Sequence, residues 1–167
     1  MTERRDLADQ IVQHHAEAYR WARQCCRYRD EIAQDVLQSA YVKVLEGKAR
    51  FQDKGTLKAW LFGVIRFTAM EHWRLERDHA PLEAVMEVAA PEDPDPTDTR
   101  FYEQMIRQLP KRQAEVLLLV FYHQLTLKEA AEVMQLEPGT VSTHYARGKE
   151  QLRTLLKKSK IEEEGIV

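Results

Sequence analysis

Residues 126–149, TLKEAAEVMQLEPGTVSTHYARGK, decide the fold class. Thr126 and Glu129 stand in the Thr-x-x-Glu arrangement in which each side chain satisfies the other residue's backbone N–H, so a helix starts here. That helix is short and ends near Met134. Four residues later Pro138, suited to a first turn, opens a second helix reaching roughly Lys158. A short helix, a tight turn and a longer basic helix form a helix-turn-helix pattern. Residues 139–160 carry Arg147, Lys149, Arg153, Lys157, Lys158 and Lys160 against one acid, Glu150. Thr140, Ser142, Thr143 and His144, in the first turns, are small or polar groups able to approach phosphates and base edges. The competing assignment is a solvated amphipathic helix whose basic end suits its dipole. The capped helix and turn upstream, at the right spacing, favour DNA contact. Before them, Pro110 fits the first turn of a helix carrying a buried run of Val116, Leu117, Leu119, Val120 and Phe121.

The N-terminal half is also helical by period. Leu7, Ile11, His15, Ala18, Ala22 and Cys25 recur at steps of three or four and predict one buried stripe. Ile32, Val36, Ala40 and Val44 predict a second, widened by Leu37, Tyr41 and Leu45 and stopped near Gly47. Thr56 can cap a third helix running to about Arg77, with Leu57, Leu61, Val64 or Ile65, and Thr68 inward. No stretch alternates long enough to predict a sheet, so the expectation is all-α. The third helix has another stripe, Lys58, Phe62, Arg66, Met70, Trp73 and Arg77, in which cations interleave with aromatics. Such a stripe can follow a phosphate backbone and stack on unpaired bases. It is equally the pattern of an outer face with half-buried rings and snorkelling cations. On the second helix Glu31, Asp35, Gln38 and Val42 form a face opposite the core stripe, either solvated or a partner-docking surface.

Composition sets the outer limits. The 167 residues, 44% hydrophobic and 31% charged, have room for one ordinary domain or two small ones. Four of the six prolines (Pro81, Pro91, Pro94, Pro96) lie in residues 81–100, beside six acids and one arginine. A segment of that composition cannot continue a helix and has little to bury. Residues 78–100 therefore read as an acidic linker between a domain at 1–77 and a second at 101–160, with a short acidic tail at 161–167. Residues 1–80 hold 14 Lys/Arg against 12 Asp/Glu, and residues 101–160 ten against six. Two mildly basic blocks thus flank an acidic one, a segregation that favours nucleic-acid contact. The longest apolar run, Val116 to Tyr122, is far short of the roughly 18 residues of a membrane span. With no signal-like N-terminus, the expected location is the cytoplasm. Cys25 and Cys26 are adjacent and predict no disulfide framework. The chain has no glycine-rich phosphate loop, no His-Glu-x-x-His and no Gly-x-Ser-x-Gly. His14-His15 and Cys25-Cys26 lie two or three turns apart on one helix, too far to share a metal. Neither an enzyme, a metal site nor a cofactor is expected.

These segments, in this order, resemble the extracytoplasmic-function (ECF) sigma factors of the sigma-70 family. Asp35-Val36-Leu37-Gln38 through Val44-Leu45 is similar to that family's polymerase-binding helix. Phe51, Ala59-Trp60-Leu61-Phe62 and Arg66 are similar to its promoter-melting segment. Leu109-Pro110, Arg112-Gln113, Glu115-Val116-Leu117 and Gly139-Thr140-Val141-Ser142 with Arg147 are similar to its second DNA-binding domain. The resemblance implies a sigma-2-like bundle and a sigma-4-like helix-turn-helix domain directing RNA polymerase core to promoters. The first would dock the β′ clamp helices through Glu31, Asp35, Gln38 and Val42. It would recognise and melt the −10 element through Lys58, Phe62, Arg66, Met70, Trp73 and Arg77. The second would dock the β flap and read the −35 element through Thr140, Ser142, Thr143, His144, Arg147 and Lys149. An anti-sigma factor is a further implied partner. Gln34 and Ser39 stand where the family often has acids, which implies weaker core binding or a need for phosphorylation or an activator. Phe67 replaces a common Asn. The alternatives are a helix-turn-helix regulator that never engages polymerase, and a protein whose basic helix binds another protein.

Overall fold

The structure, a computed structural model, describes residues 2–52, 55–79 and 98–164. It divides into two compact units, Met1–Glu92 and Asp93–Val167. Every regular element among the described residues is helical. The expected linker, 78–100, lies mostly outside the described residues: one helix runs to His79 and the next starts at Asp98.

The first unit contains α1 (Thr2–Gln13), α2 (His15–Cys25), α3 (Asp30–Leu45) and α4 (Leu57–His79). α2, α3 and α4 pack on one another, while α1 leans mainly on α2. The stripe from Leu7 to Cys25 predicts one helix, but the chain breaks at His14, where φ is −97° and ψ is 5°. The break shifts the phase of α2 relative to α1. Ile11, Ala18 and Ala22 are buried as expected, and Trp21 and Cys26 join them. His15 is left exposed, its Nδ1 sharing a 2.8 Å hydrogen bond with the Tyr41 hydroxyl. The centre of the unit is the parallel stack of Trp21 on Phe62, with centroids 5.6 Å apart and ring planes 4° from parallel. Trp21 Nε1 also donates to the Phe62 carbonyl at 3.0 Å.

The α3 stripe is as expected at Val36, Leu37, Ala40 and Val44, with Ala33 added, but Leu45 is exposed. α3 stops at Gly47, whose φ of +77° is a left-handed turn that glycine adopts without penalty. The Gly47 N–H reaches the Val44 carbonyl and the Lys48 N–H reaches that of Lys43, the two bonds of a Schellman closure. Thr56 caps α4, its hydroxyl accepting from the Ala59 N–H at 3.2 Å. Of the inward candidates on α4, Leu61, Ile65 and Thr68 are buried.

The second unit contains α5 (Asp98–Ile106), α6 (Lys111–Leu117), α7 (Leu127–Met134) and α8 (Pro138–Glu164). Pro110 sits one place before α6 as its cap. The helix then widens into a π turn, Leu118–Tyr122. Val116, Leu117 and Leu119 are buried, but the π turn rotates Phe121 outward, leaving it 54% exposed. The capping box of α7 is complete, with Glu129 N–H on Thr126 Oγ1 at 3.1 Å and Thr126 N–H on Glu129 Oε1 at 3.0 Å. α8 extends past Lys158 because no proline interrupts it after its first residue. It packs closely on α6 at Gly148, where an added Cβ would lie 3.2 Å from Leu117 Cδ1 and 3.3 Å from Gln113 Cβ.

Burial raises two acids of the first unit: the Cys26 thiol is pushed up to about 12 and the Tyr41 phenol to about 12. Both groups fold as neutral species, whereas the unfolded chain releases their protons near 9 and 10. Their contribution is therefore complete below about pH 9 and falls as pH rises toward 12. Urea unfolding between pH 8 and 11 should show stability declining only over the alkaline part of that range. Separately, Phe62→Ala should cost about 3–5 kcal/mol through the lost stack and the cavity left behind, read from the urea midpoint.

Candidate nucleic-acid and partner-binding surfaces

α3 presents Glu31, Asp35, Gln38 and Val42 to solvent, as the sequence predicts. At 1.5 Å per residue these four side chains make a ridge about 16 Å long. Gln34 and Ser39 lie exposed beside it, and Val42 and Leu45 add an apolar end, 43% and 49% exposed. The ridge is held at both ends. At its amino end Arg23 Nε pairs with Asp30 Oδ1 at 2.7 Å, and the Tyr19 hydroxyl donates to the same oxygen at 3.1 Å. Burial, followed by that bond to a carboxylate, raises the Tyr19 phenol above its usual value. Toward its carboxyl end Lys43 Nζ pairs with Glu71 at 2.9 Å and donates to Thr68 Oγ1 at 3.1 Å, tying α3 to α4.

The six-residue stripe on α4 does not survive as one surface. Phe62 is 0% exposed in the stack on Trp21, so neither ring face can meet a base. Arg66 is buried beside it. Lys58 is half-buried and ion-paired to Glu17 at 2.6 Å. These three are corrections: they hold the bundle together. Met70 and Arg77 are exposed, and Trp73 is half-buried with Nε1 donating to the Cys25 carbonyl at 3.1 Å. The outward stripe is Phe67, Met70, Arg74 and Arg77, with Phe67 52% exposed under the Lys43 ammonium, 5.1 Å from its ring centroid. Phe67 and Arg74 also recur at helical spacing with Met70 and Arg77. The sequence signal was present, but choosing between two stripes about one residue apart requires knowing which one the core takes.

On α8, Val141 and Gly148 face inward. Thr140, Thr143 and Arg147 follow one another on the outward face, all exposed, with half-buried His144 at their edge. Ser142 and Lys149, also exposed, lie seven residues apart on the opposite flank. All six predicted residues thus belong to one accessible helix face and its borders. The Thr143 hydroxyl donates back to the Gly139 carbonyl at 3.0 Å, leaving its methyl and an oxygen lone pair to present outward. A residue missed in the sequence is Tyr145. Its ring lies 5.8 Å from that of Phe121, and Lys149 Nζ sits 4.4 Å from its centroid. This fixes the lysine on the flank; the four-residue step between Tyr145 and Lys149 was the available clue.

The chain thus joins a helical bundle with an exposed acid-amide ridge to a capped helix-turn-helix unit. Residues 11–78 match Sigma-70 region 2 and residues 102–152 match Sigma-70, region 4. The chain belongs to the sigma-70 family, as an ECF sigma factor, a non-enzymatic subunit that directs RNA polymerase to specific promoters. It is 25% identical over 150 residues to the RNA polymerase sigma factor SigV of Bacillus subtilis, covering 89% of each chain. It is 28% identical over 151 residues to the ECF RNA polymerase sigma factor SigM of Mycobacterium tuberculosis, covering 89% of this chain and 76% of that one. In fold it is similar to the sigma factor RpoE of Bartonella quintana, solved with the anti-sigma factor NepR. That match has a TM-score of 0.77 at 20% identity, over 91% of this chain and 97% of the other. No helix among the described residues is long and apolar enough to cross a membrane.

The ridge depends on Asp30 at its foot. Asp30→Ala should lower stability by about 1 kcal/mol, because a half-exposed pair and one hydrogen bond are lost together. It should also return the Tyr19 phenol toward its ordinary titration, followed by absorbance at 295 nm.

Proposed function

We propose that the first unit carries the polymerase contact and the −10 contact, and the second unit the −35 contact, of this sigma factor. The docking ridge of Glu31, Asp35, Gln38 and Val42 meets the β′ clamp helices. The outward stripe of α4 serves the −10 element, with Phe67 and Met70 as stacking surfaces for unpaired bases and Arg74 and Arg77 as phosphate contacts. Trp73 lies at the border of this stripe. On the second unit, Thr140, Thr143, His144 and Arg147 read base edges of the −35 element, while Ser142 and Lys149 contact phosphate. The same unit docks the β flap. The observation that carries this assignment is the continuous exposed ridge on α3, which has no role in the bundle it belongs to. A polymerase-independent regulator would have no use for it. Its working place is the cytoplasm, with the polymerase, and an anti-sigma factor is a proposed partner on the pattern of the RpoE complex.

Gln34 and Ser39 thin the negative charge along the ridge, so the interaction with core enzyme should be weak unless charge is added. Run-off transcription with purified core enzyme on random-sequence templates tests the assignment. With core enzyme in enough excess to saturate the weak complex, the wild-type chain should give discrete transcripts, and Asp35→Lys should abolish core binding with the thermal midpoint unchanged. Ser39→Asp should tighten binding roughly fivefold, about the 1 kcal/mol of one added interfacial charge. Transcripts undiminished by Asp35→Lys would overturn the docking ridge. Nanomolar core affinity of the unmodified chain would overturn the need for added charge.

A further inference from the structure

The connection between α2 and α3 is strained. Arg27 and Tyr28, neither of them glycine, have φ of +55° and +63°. L-residues with a Cβ take the left-handed region reluctantly, and such conformations persist where surrounding contacts over-determine them, often at functional surfaces. The contacts here are plain. Tyr28 N–H reaches the Arg23 carbonyl at 2.8 Å, and Arg29 N–H that of Cys26 at 3.1 Å. Arg23 is neutralised by Asp30 and lies 6.0 Å from the Tyr28 ring centroid. The outcome of the bend is that the Arg27 guanidinium lies over the Trp73 ring on α4, 4.7 Å from its centroid.

Trp73 is itself fixed, since its Nε1 donates to the Cys25 carbonyl in the same connection. The indole is therefore a shelf: one edge is tied to the backbone beside Arg27 and one face lies beneath the cation. Arg74 follows Trp73 directly and Arg77 comes one turn later, both exposed. The α4 stripe thus runs from an apolar part, Phe67 and Met70, to Arg74 and Arg77, and Arg27 reaches the same helix from outside it, at Trp73. Bases need the first and phosphates the second. A guanidinium offers phosphate a planar fork of donors, and one already held over a ring loses less freedom on contact than a free side chain.

We propose that Arg27 is a phosphate contact of promoter DNA, delivered to the −10 surface by the left-handed α2–α3 connection and held there by Trp73. This rests on the −10 assignment of α4 above. The test uses holoenzyme reconstituted from the full chain and core RNA polymerase, on a promoter fragment recovered by the run-off selection. Arg27→Gly removes the guanidinium and also relieves the left-handed backbone. It should leave the thermal midpoint of the free chain within about 4 °C of wild type. Opening, read as permanganate reactivity of unpaired thymines, should fall roughly five- to tenfold, and the slope of log K against log salt should shrink by about 0.7–0.9. Arg27→Lys, which keeps the charge without the fork, should retain the slope and lose about two- to threefold in opening. Wild-type opening by Arg27→Gly would overturn the proposal. So would a loss of opening with an unchanged salt slope and a lowered midpoint, since Arg27 would then only support the fold. Absence of discrete transcripts from the wild-type holoenzyme would overturn the polymerase assignment itself, and this contact with it.

Discussion

The Trp21–Phe62 stack sets the rotation of α4, and the face that α4 shows to solvent follows from that rotation. The two rings are parallel within 4° at the centre of the first unit, and the indole N–H is committed to the carbonyl of the residue it stacks on. A stacked ring and a hydrogen bond at the same residue leave α4 one azimuth against α2. Phe62 and Arg66 turn inward together, and the outward stripe moves round by about the 100° that one residue spans. Phe67, Met70, Arg74 and Arg77 then reach solvent, while Lys58 closes against Glu17. A surface of rings and cations exists on α4 because another set of rings and cations has been used to hold the helix.

The same division of labour recurs at α3. Its inner face is small and apolar, with Ala33, Val36, Ala40 and Val44 allowing close approach of its neighbours. Its ends are fastened by Asp30 and Lys43, charged residues whose partners lie on other helices. The ridge of Glu31, Asp35, Gln38 and Val42 is thus mounted on a rod rather than on a loop, and a partner meeting it need order little. In the second unit the capping box of α7 and the close approach at Gly148 orient α8 in the same way. The wider turn at 118–122 delivers Phe121 to Tyr145 and so to Lys149.

Much of this was legible in one dimension because it depends on local rules. Caps are local: Thr56 with Ala59, and Thr126 with Glu129, lie within a single turn, so residue type and spacing suffice. The α3 ridge was legible because an apolar stripe that fills one side of a helix leaves the polar side by elimination. The α8 face was legible for the same reason, with Val141 marking the inside. The break at His14, the π turn and the left-handed pair at Arg27 and Tyr28 have no such signal, since none carries the glycine, proline or capping residue that would mark it.

The sequence by itself determined the helical class, the two-block organisation, the helix-turn-helix with its cap, and the side chains of α3 and α8 that face outward. Only the tertiary structure decided which of two overlapping stripes on α4 is core and which is surface. The reason is physical: aromatic and long cationic side chains have apolar bodies with polar or charged features, so they satisfy either environment and their period does not choose between them. That choice is made by a partner ring on another helix, 41 positions away in the chain.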